Sequence, residues 1–215
     1  MIHIVTAANR CLFEDELLEL QRIDCANSVC TSAGKSDDLA RRVDHAAGGD
    51  EIHILAIEDG RLCGASRLTP TSGPHRLADV FPHLAAMRGV PRDPAIYEWT
   101  PGLTVPTSAD DAEWDDRRHH AVGAMTCAVV ECCLAEGVYA LSAVIDARSL
   151  PRFHDMGWMV QPLGLPEQVG REWMLAVLVT IDASVLQATR TFFGIDEPML
   201  AHQGPRPSTT REITL

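Results

Sequence analysis

Hydrophobic and polar positions along the chain repeat with two spacings, one typical of helices and one typical of strands. Apolar residues at mixed three- and four-residue intervals predict helices at 14–29, 77–87, 113–136, 149–156 and 183–193, and a shorter one capped at 36–38 that runs to Val43. Acidic residues fill the first turn of the first helix, and Gly137 ends the longest one. We expect the apolar face of the first helix to cover a sheet.

Apolar runs between these helices predict the strands of that sheet, at 2–5, 52–57, 62–68, 95–105, 138–145, 158–163 and 173–181. The second and third strands flank Asp59-Gly60, a turn that favours positive φ, so they form an antiparallel hairpin. Helices and strands alternate irregularly, and the glycine-rich fingerprints of dinucleotide and nucleotide sites are absent from the sequence. The pattern therefore predicts an α/β fold with a mixed, largely antiparallel central sheet flanked by helices, and not a doubly wound parallel one.

Composition adds the number of domains and the compartment. The chain has 215 residues, of which 46% are hydrophobic and 22% charged, which suits one domain over 1–195 with a loosely ordered tail over 196–215. Its formal net charge of -12 disfavours nucleic acid as a partner. The sequence has neither an apolar run long enough for a membrane span nor the features of a secretory signal at its start, so we predict a cytoplasmic protein.

Metal ligands and disulfides contribute little to this interpretation. Asp115 and His119 stand one helical turn apart, as do Asp116 and His120, but the sequence suggests no third ligand, so no metal site is predicted. The seven cysteines are an odd number without a Cys-x-x-Cys pair, which favours reduced thiols.

Three stretches of the chain resemble the acyl-homoserine lactone synthases of the autoinducer-synthase family. The most specific stretch is GASRLTPTSGP at 64–74, which is followed by LADVFP at 77–82. Tyr97-Glu98-Trp99-Thr100 stands where the family has an aromatic-Glu-x-Ser run at the end of a strand. Gly157-Trp158, the Pro-Leu-Gly at 162–164 and Gly170 resemble the family's C-terminal half.

The resemblance implies a fold related to the N-acetyltransferases, a three-layer sandwich of helices around the mixed sheet. It also implies an N-acyltransferase that synthesises autoinducers for quorum sensing. Such enzymes move an acyl group from a thioester of acyl carrier protein or coenzyme A to the amine of S-adenosylmethionine. They release a lactone and methylthioadenosine, and these substrates are the small molecules expected here, without a tightly bound cofactor.

The resemblance also assigns roles to individual residues. Glu98 matches the general base, since an ammonium acceptor must lose a proton before it attacks a thioester. Arg67 matches an arginine whose planar guanidinium can hold the acceptor's carboxylate. Phe81 matches an aromatic wall near the acceptor and acyl pockets, and backbone groups near Thr100 would polarise the thioester carbonyl. The alternative from the residues alone is that Glu98 and Arg67 form structural ion pairs.

Further expectations concern the acyl chain and its carrier. Ala143 falls where many relatives that use 3-oxo chains have a threonine, which favours an unsubstituted chain, and Trp158 is a candidate wall of the acyl tunnel. Arg148 and Arg152 lie four residues apart where relatives dock their carrier, so both are candidate carrier-docking residues.

The N-terminal half departs from the family at positions that hold S-adenosylmethionine. Asp24 and Ser28 stand in place of an arginine and a phenylalanine, and Pro101 replaces an arginine. Of the family's two aspartates only Asp44 is retained, because the second is Ala47. Two further hypotheses therefore stay open: acyl transfer to a different amine, and a catalytically silent acyl-binding or regulatory module.

Overall fold

The computed structural model describes residues 1–30, 49–102 and 112–200, without the side chains of 23–30, 102 and 112–118. The helix predicted up to Val43 lies outside the described residues, and so do Asp44 and Ala47.

One mixed sheet organises the described residues, which confirms the predicted fold class. It contains β1 (Ile2–Val5), β2 (Ile52–Glu58), β3 (Arg61–Pro70), β4 (Ile96–Gly102), β5 (Ala140–Asp146), β6 (Val160–Pro162), β7 (Glu167–Val169) and β8 (Glu172–Thr180). The strand order is β1-β2-β3-β4-β5-β8-β6, with β7 also paired to β8. Neighbours are antiparallel except β4 and β5, which run parallel.

Helices cover both faces of this sheet. They are α1 (Glu14–Cys30), α2 (Arg76–Asp79), α3 (Ala112–Glu136), α4 (Leu150–Asp155) and α5 (Ala183–Phe193). α1 packs Leu17 and Leu20 against Leu55 and Ala65 on one face. Alternate side chains of a strand point to opposite sides, so the strands also present apolar residues on the other face. α3 and α5 pack there and form the largest apolar cluster with them. The result is a sandwich of three layers.

The hairpin between β2 and β3 agrees with its sequence signal. Asp59 has φ 50° and Gly60 has φ 73°, so both turn residues adopt the left-handed conformation that the twist of a tight hairpin requires. The turn fixes the register in which His53 lies opposite Arg67.

The single helix predicted over 77–87 is wrong. The chain forms α2, breaks at Val80 and Phe81, and continues as a 3-10 turn over Pro82–Ala85. Proline has no backbone N–H to donate to the preceding turn, so a continuous helix cannot pass through Pro82. β7 was not predicted, and the strand predicted over 158–163 shortens to β6.

The sheet opens between β4 and β5. The two strands pair from Ile96 and Ala140 only as far as Glu98 and Ser142. Beyond that point β4 continues beside β3, and β5 continues beside β8. Pro101 has no N–H for a ladder hydrogen bond, which fits a strand segment with a neighbour on one side only. The gap begins directly after Glu98.

The C-terminal part of the described chain is attached to α3. The backbone N–H groups of Met199 and Leu200 donate to the Glu131 carboxylate at 3.2 and 2.9 Å, and Arg190 donates to the same carboxylate at 2.6 Å. The domain boundary at residue 195 stays a prediction, since the residues after 200 are not described.

In the described part of the chain, no helix has the length and apolarity that crossing a membrane requires.

Candidate active site

Glu98 lies in β4 with its carboxylate at the start of α2. The N–H groups of Arg76 and Leu77 donate to its two oxygens at 2.6 and 2.8 Å. The first N–H groups of a helix have no partner inside the helix, and the cap residue His75 does not satisfy them with its side chain. Glu98, which follows Arg76 by 22 residues in the chain, therefore accepts the hydrogen bonds that a capping side chain would otherwise accept.

Burial makes Glu98 a stronger base than an ordinary carboxylate. Its side chain is 3% exposed, and loss of water raises its pKa from 4.5 to about 7. The two N–H donors and the charges of Arg76 and Arg67 lower the pKa, but they do not outweigh burial. A carboxyl with this pKa exchanges protons close to neutral pH, as a general base should.

A cavity of about 110 Å³ adjoins Glu98 where β4 and β5 separate. Phe81 forms part of its wall, and the guanidinium of Arg76 stands 5.4 Å from the centre of the Phe81 ring. The lining residues are Arg76, Phe81, Glu98, Trp99, Thr100, Pro101, Val144 and Met174. The structure therefore brings the predicted Glu98, Phe81 and Thr100 together around one space.

Arg67 extends this site along the same face of the sheet. In the pairing of β3 with β4, Thr69 lies opposite Glu98 and Arg67 lies opposite Thr100. Side chains two residues apart on a strand share a face, so Arg67 and Thr100 lie beside Glu98. Both are partly buried, and Arg67 is not among the residues that line the cavity.

Ala143 and Trp158 lie in apolar clusters away from this face. Ala143 packs with Ile145, Leu175 and Val177. Trp158 is 3% exposed, and its indole N–H donates to Thr189 at 2.7 Å. Trp158 belongs to an aromatic group with Trp99 and Phe153, whose ring centres are 5.6 to 6.4 Å apart, and of these three rings Trp99 lines the cavity. Neither Ala143 nor Trp158 lines the Glu98 cavity.

The two candidate carrier-docking arginines have different partners in the structure, and their role in docking stays a prediction. Arg148 is exposed but is bound by two carboxylates, those of Asp146 and Glu172. Arg152 belongs to α4, and its guanidinium stands 5.9 Å from the ring of Phe193 in α5. The charge of Arg148 is therefore neutralised locally.

The departures from the family pattern are placed only in part. The side chains of Asp24 and Ser28 lie outside the described residues, as do Asp44 and Ala47. Pro101 is exposed and lines the cavity. Within the described residues no group of three or more His, Cys, Asp or Glu side chains is arranged to hold a metal ion.

Several site features were not predicted from the sequence. These are the two N–H donors of α2, and the side chains of Arg76, Trp99, Val144 and Met174 in the cavity wall. The alternation of side chains along β5 would have placed Val144 and Ser142 on one face of the sheet. It could not show that Glu98 lies on the same face, because that depends on which strands are neighbours in the sheet. The N–H donors carry no side-chain signal at all.

The raised pKa of Glu98 has a consequence for stability. Between pH 4.5 and about 7 the folded protein holds a proton on Glu98 that the unfolded chain has released. Binding of this proton adds on the order of 3 kcal/mol to the free energy of unfolding. The stabilisation is complete below pH 4.5 and is lost as pH rises through 7. Urea unfolding across this range should show the Glu98→Gln variant gaining stability relative to the wild type as pH rises. Parallel curves for the two proteins would contradict the assignment.

Comparisons with known proteins agree with this geometry. The autoinducer synthase family model matches residues 41–189. An isovaleryl-homoserine lactone synthase of Bradyrhizobium diazoefficiens is 37% identical over 212 residues, which is 96% of this chain and 91% of the relative.

Solved structures give the same result. The CoA-dependent acyl-homoserine lactone synthase BjaI, with SAM and isopentyl-CoA, is 34% identical with a TM-score of 0.75, covering 92% of this chain and 91% of its own. A second CoA-dependent synthase, MesI, is 28% identical with a TM-score of 0.77, covering 94% of this chain and 100% of its own. Structures below 25% identity share the fold alone.

The three-layer fold and these relatives define the chain as an acyltransferase. It belongs to the autoinducer synthase family.

Proposed function

We propose that this protein transfers an acyl group from a thioester to the amine of S-adenosylmethionine and releases an acyl-homoserine lactone. The observation that carries the proposal is the buried Glu98 carboxyl, with a pKa of about 7, beside a cavity at the gap in the sheet. Its relatives are named acyl-homoserine lactone synthases, which disfavours a different amine acceptor and a silent module.

Glu98 acts on the acceptor's ammonium group. It removes one proton, directly or through water, and the neutral amine attacks the thioester carbonyl. The attacking nitrogen loses its second proton, the tetrahedral intermediate expels the thiolate, which takes up a proton to become the free thiol, and an amide bond remains. The carboxylate of the acylated acceptor then displaces methylthioadenosine from its own γ-carbon and closes the lactone ring. Arg67 is the group that orients this carboxylate, since a guanidinium binds it with two parallel hydrogen bonds.

Backbone groups near Thr100 polarise the thioester carbonyl in this proposal. β4 has no partner from β5 after Glu98, so its main chain borders the gap in which the carbonyl must lie. N–H donors aimed at a developing oxyanion stabilise the tetrahedral intermediate.

The donor is a coenzyme A thioester in this proposal, and not an acyl carrier protein. Arg148 is already paired with two carboxylates, and the chain carries a formal charge of -12, so an acidic carrier finds little attraction. The two similar solved synthases are both described as CoA-dependent.

The acyl chain is short and apolar. Trp99 lines the cavity and packs against Phe153 and Trp158, which limits the room for a long chain, and Ala143 offers no hydroxyl to a 3-oxo group. The named relative makes an isovaleryl lactone, and one structural neighbour holds isopentyl-CoA.

A substrate panel tests donor and chain together. Purified protein with S-adenosylmethionine should convert isovaleryl-CoA at least tenfold faster, by kcat/KM, than octanoyl-CoA or isovaleryl carrier protein, because the aromatic group blocks longer chains. Mass spectrometry identifies the lactone. A faster reaction with the carrier protein would show that the proposed donor is wrong. A faster reaction with octanoyl-CoA would show that the proposed chain length is wrong.

The cytoplasmic location stays part of the proposal, and fractionation of cells that express the chain would test it.

A further inference from the structure

A second buried carboxylate lies on the face of the sheet that carries Arg67. Glu51 immediately precedes β2 and is 6% exposed, and His53 of β2 is 7% exposed. One oxygen of Glu51, Oε1, stands 3.4 Å from Arg10 Nη1 and 3.6 Å from His53 Nε2. His53 lies directly opposite Arg67 in the pairing of β2 with β3.

Arg67 connects this pair electrostatically with Glu98. Burial raises the pKa of Glu51, but His53, Arg67 and Arg10 together hold it below its usual value, so the carboxylate is ionised. The charge of Arg67 also lowers the pKa of Glu98. A row of polar groups therefore crosses three strands from Glu98 to Glu51.

The pair has hydrogen-bonding positions that no described residue fills. Within the part of the chain that the structure describes, Glu51 Oε2 and both ring nitrogens of His53 are buried without a hydrogen-bond partner. A buried polar atom without a partner costs about 1 to 3 kcal/mol, and native proteins contain few of them. These three atoms could form hydrogen bonds with a polar ligand or with water.

The spacing of the row fits the acceptor. Two strand separations and two residues along a strand place His53 about 12 Å from Glu98 between Cα atoms. In S-adenosylmethionine the amine and the ribose hydroxyls are joined by a chain of bonds that spans about 10 Å when extended. With its amine at Glu98 and its carboxylate at Arg67, the molecule carries its ribose toward β2.

We propose that Glu51 and His53 bind the ribose hydroxyls of the nucleoside half of the acceptor, so that they form a nucleoside subsite separate from the carboxylate clamp at Arg67. An ionised carboxylate accepts from a hydroxyl, and an imidazole can donate to the second hydroxyl or accept from it. The inference rests on the proposed function, because it takes S-adenosylmethionine as the acceptor.

Calorimetric titration with two ligands tests the subsite. S-adenosylmethionine carries both the amino-acid half and the ribose, whereas methylthioadenosine carries only the nucleoside half. Glu51→Gln should weaken the binding of both ligands by a similar factor, about tenfold or more, because a hydrogen bond to a charged group is lost. Arg67→Met should weaken S-adenosylmethionine alone.

Glu131→Gln provides the matched control. Glu131 is also a buried carboxylate paired with an arginine, but it binds Arg190 and the C-terminal segment. We expect this variant to retain the wild-type affinity for both ligands. If Glu51→Gln fails to fold, wild-type protein can be titrated with 2′-deoxy and 3′-deoxy methylthioadenosine, and at least one should bind tenfold more weakly.

The possible contrary results are distinct. If Glu51→Gln weakens only S-adenosylmethionine, the pair merely positions Arg67, and the nucleoside subsite is overturned. Wild-type affinity in Glu51→Gln, or wild-type affinity for both deoxy ligands, overturns it as well. If the wild type binds neither ligand, the acceptor in the proposed function is wrong and the subsite falls with it.

Discussion

Replacing Glu98 with glutamine should lower kcat by about 10² to 10⁴, because the acceptor's ammonium group then has no base to take its proton. The amide keeps the size of the carboxylate and one acceptor oxygen for the α2 N–H groups, so the cavity wall should remain in place. Steady-state rates with isovaleryl-CoA and S-adenosylmethionine give the measurement, and calorimetry with methylthioadenosine verifies that the site is still formed.

The same residue should set the pH dependence of the wild type. Since the base must be ionised to accept a proton and its pKa is about 7, kcat/KM should fall tenfold per pH unit well below pH 7. Glu98→Asp shortens the side chain but keeps its charge, so it should retain more activity than Glu98→Gln. A Glu98→Gln enzyme with more than a tenth of the wild-type rate would exclude Glu98 as the base.

Substituting Gly164 with alanine should cost about 3 kcal/mol of folding stability, or roughly 6 to 12 °C in Tm. A Cβ at this position would lie 2.3 Å from the carbonyl oxygen of Leu84, and a backbone atom cannot rotate away. The segment that follows the 3-10 turn at Pro82–Ala85 is also bound beside Gly164, since Met87 and Arg88 donate to the Leu163 carbonyl at 3.1 and 3.0 Å. The turn follows Phe81, so the site should be disturbed as well.

Gly73→Ala is the matched control for this prediction. Gly73 also lies in a loop, between β3 and α2, but nothing stands within 4 Å of an added Cβ. Its melting temperature should stay within about 2 °C of the wild type. Thermal melts followed by circular dichroism would reject the prediction if Gly164→Ala and Gly73→Ala melted together.

Local sequence signals were sufficient to predict those parts of the fold that depend on residues close to each other in the chain. The Asp59-Gly60 turn, the α5 boundaries and the mixed sheet could all be predicted in this way. The broken helix around Pro82 shows the limit, because apolar spacing alone continued through a residue that cannot donate a backbone hydrogen bond.

The candidate site also has features that the sequence predicted and features that it could not predict. Glu98, Arg67 and Phe81 were found through their resemblance to family motifs, and the structure brings Glu98 and Phe81 to one cavity. The pKa of Glu98 was not predictable, since it depends on burial and on N–H donors from another element. Glu51 and His53 were missed because single polar residues at the start of a strand usually face solvent.

The separation of β4 from β5 creates two strand edges in the interior of the sheet. Unpaired strand edges are usually a risk on a protein surface, where they recruit other chains. Here they face each other across the gap, so a molecule that enters the gap can reach their amide and carbonyl groups. A thioester whose arm contains amide groups can be bound by the main chain there, as an added strand is. Binding of that kind uses backbone groups, and Pro101 can offer only its carbonyl, so the N–H groups available on β4 are those of its other residues.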